Sequence, residues 1–164
     1  DVDTRHFQDS LQLIPLLPPH TKTLFDLGSG AGFPGLVIAL ERPDIAVHLF
    51  ESDTKKCAFL STVSRETHIP VVIHNQRIES VDKIPDVVPD VISARALASL
   101  DTLLAMTEIW WSAYPQLTLL FPKGAKAEEE IATARESYDF TLDIFPSQTE
   151  KNARILHITH VTRR

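Results

Sequence analysis

The chain has 164 residues, which favours one domain and allows a full three-layer core. Apolar residues make up 43% and charged residues 23%, the balance of an ordinary soluble globular protein, and no apolar run approaches a membrane span. Net charge is −6, so composition does not announce a nucleic-acid binder, and any RNA contact needs a local basic patch on an acidic body.

In chain order, Phe7, Leu11, Ile14 and Leu17 are spaced for an amphipathic helix that Pro18-Pro19 stops. Residues 1–20 therefore read as a helical lead-in and 21–164 as the body. The opening Asp-Val-Asp, without methionine or secretory-signal pattern, reads as an excised piece of a longer chain. A strand is expected over 23–27 and a helix over 34–41, stopped by Arg42-Pro43-Asp44. The second strand, 46–50, ends at Glu51, and Ser52 or Asp53 caps a helix over 54–67. Strands follow at 71–74 and 91–94, a helix at 99–112, a strand at 117–121 and a helix at 125–138. Two strands, 140–145 and 154–162, close the chain as a hairpin. Strands alternating with helices predict an α/β fold. It has a mostly parallel seven-stranded sheet, helices on both faces and an antiparallel hairpin at one edge.

The first strand runs into Asp26-Leu27-Gly28-Ser29-Gly30-Ala31-Gly32-Phe33-Pro34-Gly35. Four of the five glycines fall within these positions, and the fifth is Gly124. Strand, glycine loop and helix begin a nucleotide-binding βα unit, in which missing side chains admit a ligand to the backbone. Two ligands compete. Gly30 to Gly35 matches the dinucleotide fingerprint G-x-G-x-x-G, but that register puts Asp26 and Ser29 where dinucleotide folds carry apolar residues. Counted from Gly28, the pattern is acid-x-Gly-x-Gly-x-Gly, which resembles the loop of S-adenosylmethionine (SAM) enzymes. SAM has no phosphate to cradle; Asp26 would answer its ammonium directly or through water. Glu51, at the end of the second strand, is placed to accept from two ribose hydroxyls, a need NAD and SAM share. Ile78-Glu79 lies where an adenine ring would sit.

Further stretches narrow the choice: Ile92-Ser93-Ala94-Arg95-Ala96-Leu97-Ala98, Leu120-Phe121-Pro122-Lys123-Gly124, Arg5-His6-Phe7-Gln8-Asp9-Ser10-Leu11 and Phe50-Glu51-Ser52-Asp53-Thr54-Lys55-Lys56. Together with the loop they resemble the RsmG family, also called GidB, across nearly the whole chain. The resemblance implies a class I, Rossmann-like SAM-dependent methyltransferase acting on N7 of one guanine in 16S rRNA. It implies SAM contacts at Gly28, Phe33, Ile78, Glu79 and Arg95, to which the loop logic adds Asp26, Ser29, Gly30 and Glu51. The implied partner is 16S rRNA in the small ribosomal subunit or an assembly intermediate, in the cytoplasm, with the enzyme a monomer. Family members carry a further helical segment before the Arg-His-Phe motif. The alternatives are an NAD-dependent oxidoreductase and a non-catalytic nucleotide-binding module.

Guanine N7 has a lone pair and no proton to lose, so no general base is needed and none is expected. The seven histidines show no metal-ligand spacing, and no metal is expected. Cys57 reads as a small apolar residue on a helix in a reducing compartment. Arg77, Arg95 and Lys123 are expected to converge from three loops as the local patch that receives RNA. Lys151, Arg154, Arg163 and Arg164 form a basic tail. Trp110-Trp111 is expected in the core or a lid contact, with base stacking as the alternative.

Overall fold

A computed structural model describes residues 2–80, 86–95 and 97–164. The helix α1 (Val2–Leu11) and a 3-10 turn (Ile14–Leu16) precede β1 (Thr23–Leu27), α2 (Gly35–Glu41), β2 (Ala46–Glu51), α3 (Thr54–Thr67) and β3 (Val72–Asn75). After a 3-10 turn at Ile78–Ser80 come β4 (Val91–Ala94), α4 (Leu100–Met106) and α5 (Glu108–Trp111). The chain ends with β5 (Thr118–Lys123), α6 (Ala127–Arg135), β6 (Tyr138–Pro146) and β7 (Arg154–Arg163).

Among the described residues these strands form one seven-stranded sheet in the order β3-β2-β1-β4-β5-β7-β6. The pairs from β3 through β5 are parallel. β7 runs antiparallel to both β5 and β6, as the expected terminal hairpin requires. Alternation sorts the side chains between the faces. Phe25, Leu27, Phe50, Ile92 and Phe121 pack with Trp110 and the helices α4 to α6. Leu24, Val47, Leu49 and Val91 pack with α2, Leu60 of α3, and Leu13 and Leu17 of the lead-in. The lead-in thus shares the core of the body.

The expected helix over 99–112 is two helices. Thr107 is fully buried, and its hydroxyl donates to the Leu103 carbonyl at 2.7 Å. This is the local side-chain bond by which threonine competes with a regular helix. The turn carries both tryptophans into the core: Trp110 is fully buried, and Trp111 Nε1 donates to the Leu104 carbonyl at 2.8 Å. The helix expected over 125–138 is shorter, because Tyr138 already belongs to β6. Asp53 is the cap of α3, accepting from the Lys55 and Lys56 amides. β7 carries a bulge: Thr141 faces Thr159 and Asp139 faces Thr162, with His160 at φ 56° between them.

Candidate functional site: the carboxyl edge of the parallel strands

In an open parallel sheet, ligands bind beyond the carboxyl ends of the strands, where the order reverses. Here that point lies between β1 and β4. Four neighbouring strands deliver to it the 28–35 loop (β1), Glu51 (β2), Ile78–Ser80 (beyond β3) and Arg95 (β4).

The loop is built to keep its backbone open. Gly28 and Gly30 adopt φ 66° and 56°, conformations that a side chain strains. A Cβ on Gly28 would meet Leu97 Cδ1 at 2.8 Å, so Leu97 lies directly over the loop. A Cβ on Gly30 would find nothing nearer than the Gly28 carbonyl at 3.8 Å, which leaves room beside that residue. The Gly28 and Ser29 amides donate to the Phe50 carbonyl at 2.8 and 3.2 Å, tying the loop to β2.

Asp26 anchors the loop from below. It is fully buried; Ser93 Oγ donates to Oδ1 at 2.9 Å and the Gly35 amide to Oδ2 at 3.1 Å. Burial pushes its carboxyl up to about 6, against the pull of these hydrogen bonds and of Arg95. The reading of Asp26 as a direct partner for a ligand ammonium meets a carboxylate with no exposed surface. Its two oxygens join β1, β4 and the start of α2. Ser29 is buried too, with its hydroxyl on the Asp26 carbonyl at 3.1 Å.

Glu51 is 7% exposed, and it accepts from the Gly30 amide at 2.8 Å and the Asp53 amide at 3.0 Å. The same carboxylate therefore fixes the loop tip and the start of α3. Ile78 is buried against the Phe50 side of the core, whereas Glu79 is exposed. Phe33 is half-buried with its ring 5.5 Å from that of His6.

Arg95 Nη2 lies 2.7 Å from His6 Nδ1. A guanidinium only donates, so Nδ1 accepts and the imidazole proton sits on Nε2. Arg95 Nη1 is buried and has no partner among the described residues.

The expected convergence of three cations does not occur. β3 and β5 are four strand intervals apart, about 19 Å, so exposed Arg77 lies far along the edge from Lys123. Lys123 is 8% exposed; its Nζ donates to the Ala98 carbonyl at 2.6 Å and pairs with Glu130 Oε1 at 3.0 Å. It is a committed internal cation rather than a free phosphate contact. Arg95 and Lys123 do line one cavity of about 420 Å3, between α1, the residues after β4 and β5, and the turn joining β6 to β7. Its wall is clasped at the rim. Gln12 Nε2 donates to Ser147 Oγ at 3.3 Å, the Gln148 amide donates to Gln12 Oε1 at 2.9 Å, and Thr149 Oγ1 donates to Asp9.

Sequence reasoning did not assign His6, Leu97, Ser93 or Glu130. The first three lie inside the quoted motifs, so the motif was a usable signal. Glu130 sits in a run of three glutamates at the start of α6, where acid is expected for helix reasons alone. Among the described residues, no group of three or more His, Cys, Asp or Glu side chains is placed to hold a metal ion. No helix among them is long and apolar enough to cross a membrane.

Sheet order and glycine loop define a class I, Rossmann-like SAM-dependent methyltransferase fold. A solved glycopeptide N-methyltransferase, MtfA, complexed with SAM, has the same fold. It aligns with a TM-score of 0.72 over 94% of this chain and 93% of its own, at 10% identity. Residues 1–158 match the model of the GidB family, rRNA small subunit methyltransferase G, and the chain belongs to that family. The ribosomal RNA small subunit methyltransferase G of Methylorubrum extorquens is 47% identical, over 97% of this chain and 75% of the relative. That of Rhodospirillum centenum is 46% identical, over 100% and 73%.

Proposed function

We propose that this chain binds SAM along the carboxyl edge of β1 to β4 and methylates N7 of a guanine in 16S rRNA. The substrate would be the small ribosomal subunit or an assembly intermediate. The observation that carries the reading is the alignment, on four adjacent strands, of an open glycine loop, a buried carboxylate, an apolar-acidic turn and an incompletely paired arginine. The residues fit the cofactor. Gly28, Ser29 and Gly30 offer backbone to its methionine end, with Asp26 holding that backbone in place. Glu51 suits its ribose, Ile78 and Glu79 its adenine, and Phe33 covers the loop. Arg95 supplies an unmet donor for a carboxylate or a base carbonyl.

Bound SAM supplies an electrophilic methyl group, which the N7 lone pair takes in line as the carbon–sulfur bond pair leaves with sulfur. The chain's own work is orientation and exclusion of water, because N7 carries no proton for a base to remove. No side chain needs to act as an acid or base. The net charge of −6 favours a small footprint on a structured particle over tight binding to naked RNA.

Two measurements test this. SAM or its demethylated product should raise the melting temperature, and NAD should not. Small subunits lacking the modification should take up labelled methyl on guanine. Stabilisation by NAD alone would restore the dinucleotide reading, and SAM binding without transfer would leave a binding module.

A further inference from the structure

The 420 Å3 cavity beside the glycine loop has not been given a ligand. Its volume suits a small organic group, and Leu97 stands between it and Gly28. Two of its walls are chemically distinct. One carries Arg95, whose guanidinium can only donate and whose Nη1 is unmet among the described residues. The other carries Glu130, which can only accept when ionised.

Glu130 is held with unusual firmness for a glutamate on a helix. The Leu100 amide, at the start of α4, donates to its Oε1 at 2.8 Å, and Lys123 Nζ approaches the same oxygen at 3.0 Å. Both contacts use Oε1, and among the described residues Oε2 has no hydrogen-bond partner, which leaves it for a further donor. The carboxylate is thus neutralised, oriented and three-quarters covered, with 24% of the side chain exposed. A group fixed in this way costs little entropy when it reads a ligand.

We infer that this cavity receives the methyl-accepting base and that Glu130, positioned by Lys123, reads the donor edge of guanine. The inference rests on the proposed rRNA methylation. Guanine presents acceptors at N7 and O6 and donors at N1 and the 2-amino group. An arginine and a fixed carboxylate in one cavity match that pattern. Adenine offers a donor where guanine has O6 and an acceptor at N1, so it meets both groups wrongly. Lys123 acts through Glu130 and is a positioning residue.

The test is a cycle between protein and base. Small subunits are reassembled with the target guanine intact or replaced by hypoxanthine, which lacks only the 2-amino group. Each is offered to the wild type and to Glu130→Gln. The glutamine keeps its oxygen for Leu100 and Lys123 and turns an amide donor toward the base. The wild type should prefer guanine by about tenfold in kcat/KM, the loss expected when a charged acceptor loses its donor. In Glu130→Gln the preference should collapse to within about twofold. Both substrates are read on one preparation, so any loss of folded protein cancels in the ratio. SAM affinity, measured separately by calorimetry, should be unchanged. An equal preference in both proteins, or none in the wild type, overturns the assignment of Glu130. No transfer by the wild type to the guanine-bearing subunit overturns the rRNA methylation instead.

Discussion

The Gly30 amide at the tip of the β1 loop donates to the carboxylate of Glu51 at the end of β2, at 2.8 Å. Two adjacent strands thereby share one buried acceptor, which also holds the Asp53 amide. Glu51→Ala leaves both amides without their partner. Its melting temperature should fall, by a cost of about 1–3 kcal/mol for the part-buried Gly30 amide, while the amide of exposed Asp53 turns to water. SAM affinity should drop at least about tenfold, read by calorimetry. Glu51→Gln keeps one acceptor and should recover more stability than affinity.

Asp26 gives the protein a pH signature. Its folded-state carboxyl is raised from 3.8 to about 6, so the folded protein holds a proton that the unfolded chain has released. Stability therefore falls as pH rises from about 4 to 6 and stays lower above that window. The cost is on the order of 2–3 kcal/mol. Asp26→Asn removes the titration. The difference in unfolding free energy, wild type minus variant, should decrease across that window in urea titrations.

Gly28→Ala carries two separable costs: the positive φ, about 1–2 kcal/mol, and the contact with Leu97. Leu97→Ala added to it should relieve the contact and leave the backbone cost. The double variant should therefore be more stable than the sum of the single changes, as a denaturant series will read.

His6 holds Arg95 and lies against Phe33, so it links the lead-in helix to the loop. His6→Ala should weaken SAM binding by at least about tenfold, the value of one lost hydrogen bond to a charged group. The change should be visible in calorimetry.

On the other face, His48 Nδ1 and His74 Nε2 are 2.9 Å apart, and burial holds both imidazoles below their ordinary range. The unfolded chain then takes up protons first as pH falls below about 6.5, and stability drops there. His74→Phe should flatten that acid limb in thermal melts.

The strands and helices, the mostly parallel sheet with its terminal hairpin, and the loop were legible because they rest on local signals: alternation, glycines at a strand end, and caps; the order of the strands in the sheet came only with the structure. The split at Thr107 was not, since a threonine in an apolar helix pattern shows its competing hydroxyl only once the backbone is set. Lys123 misled for a related reason. Its position at a strand end was readable, but its partner Glu130 comes from another helix and Ala98 from another loop. Asp26 was legible as important. That its role is to brace the loop depended on how deeply β1 is covered on both sides.

Because β7 runs against β5, the turn before it returns to the edge that the parallel strands use. There Asp9 and Gln12 grip Ser147, Gln148 and Thr149, residues more than 130 positions away along the chain. The mouth of the cavity therefore depends on the two ends of the chain meeting, and a chain cut before its final hairpin would lose that wall together with the buried Leu156 and Ile158 of the core.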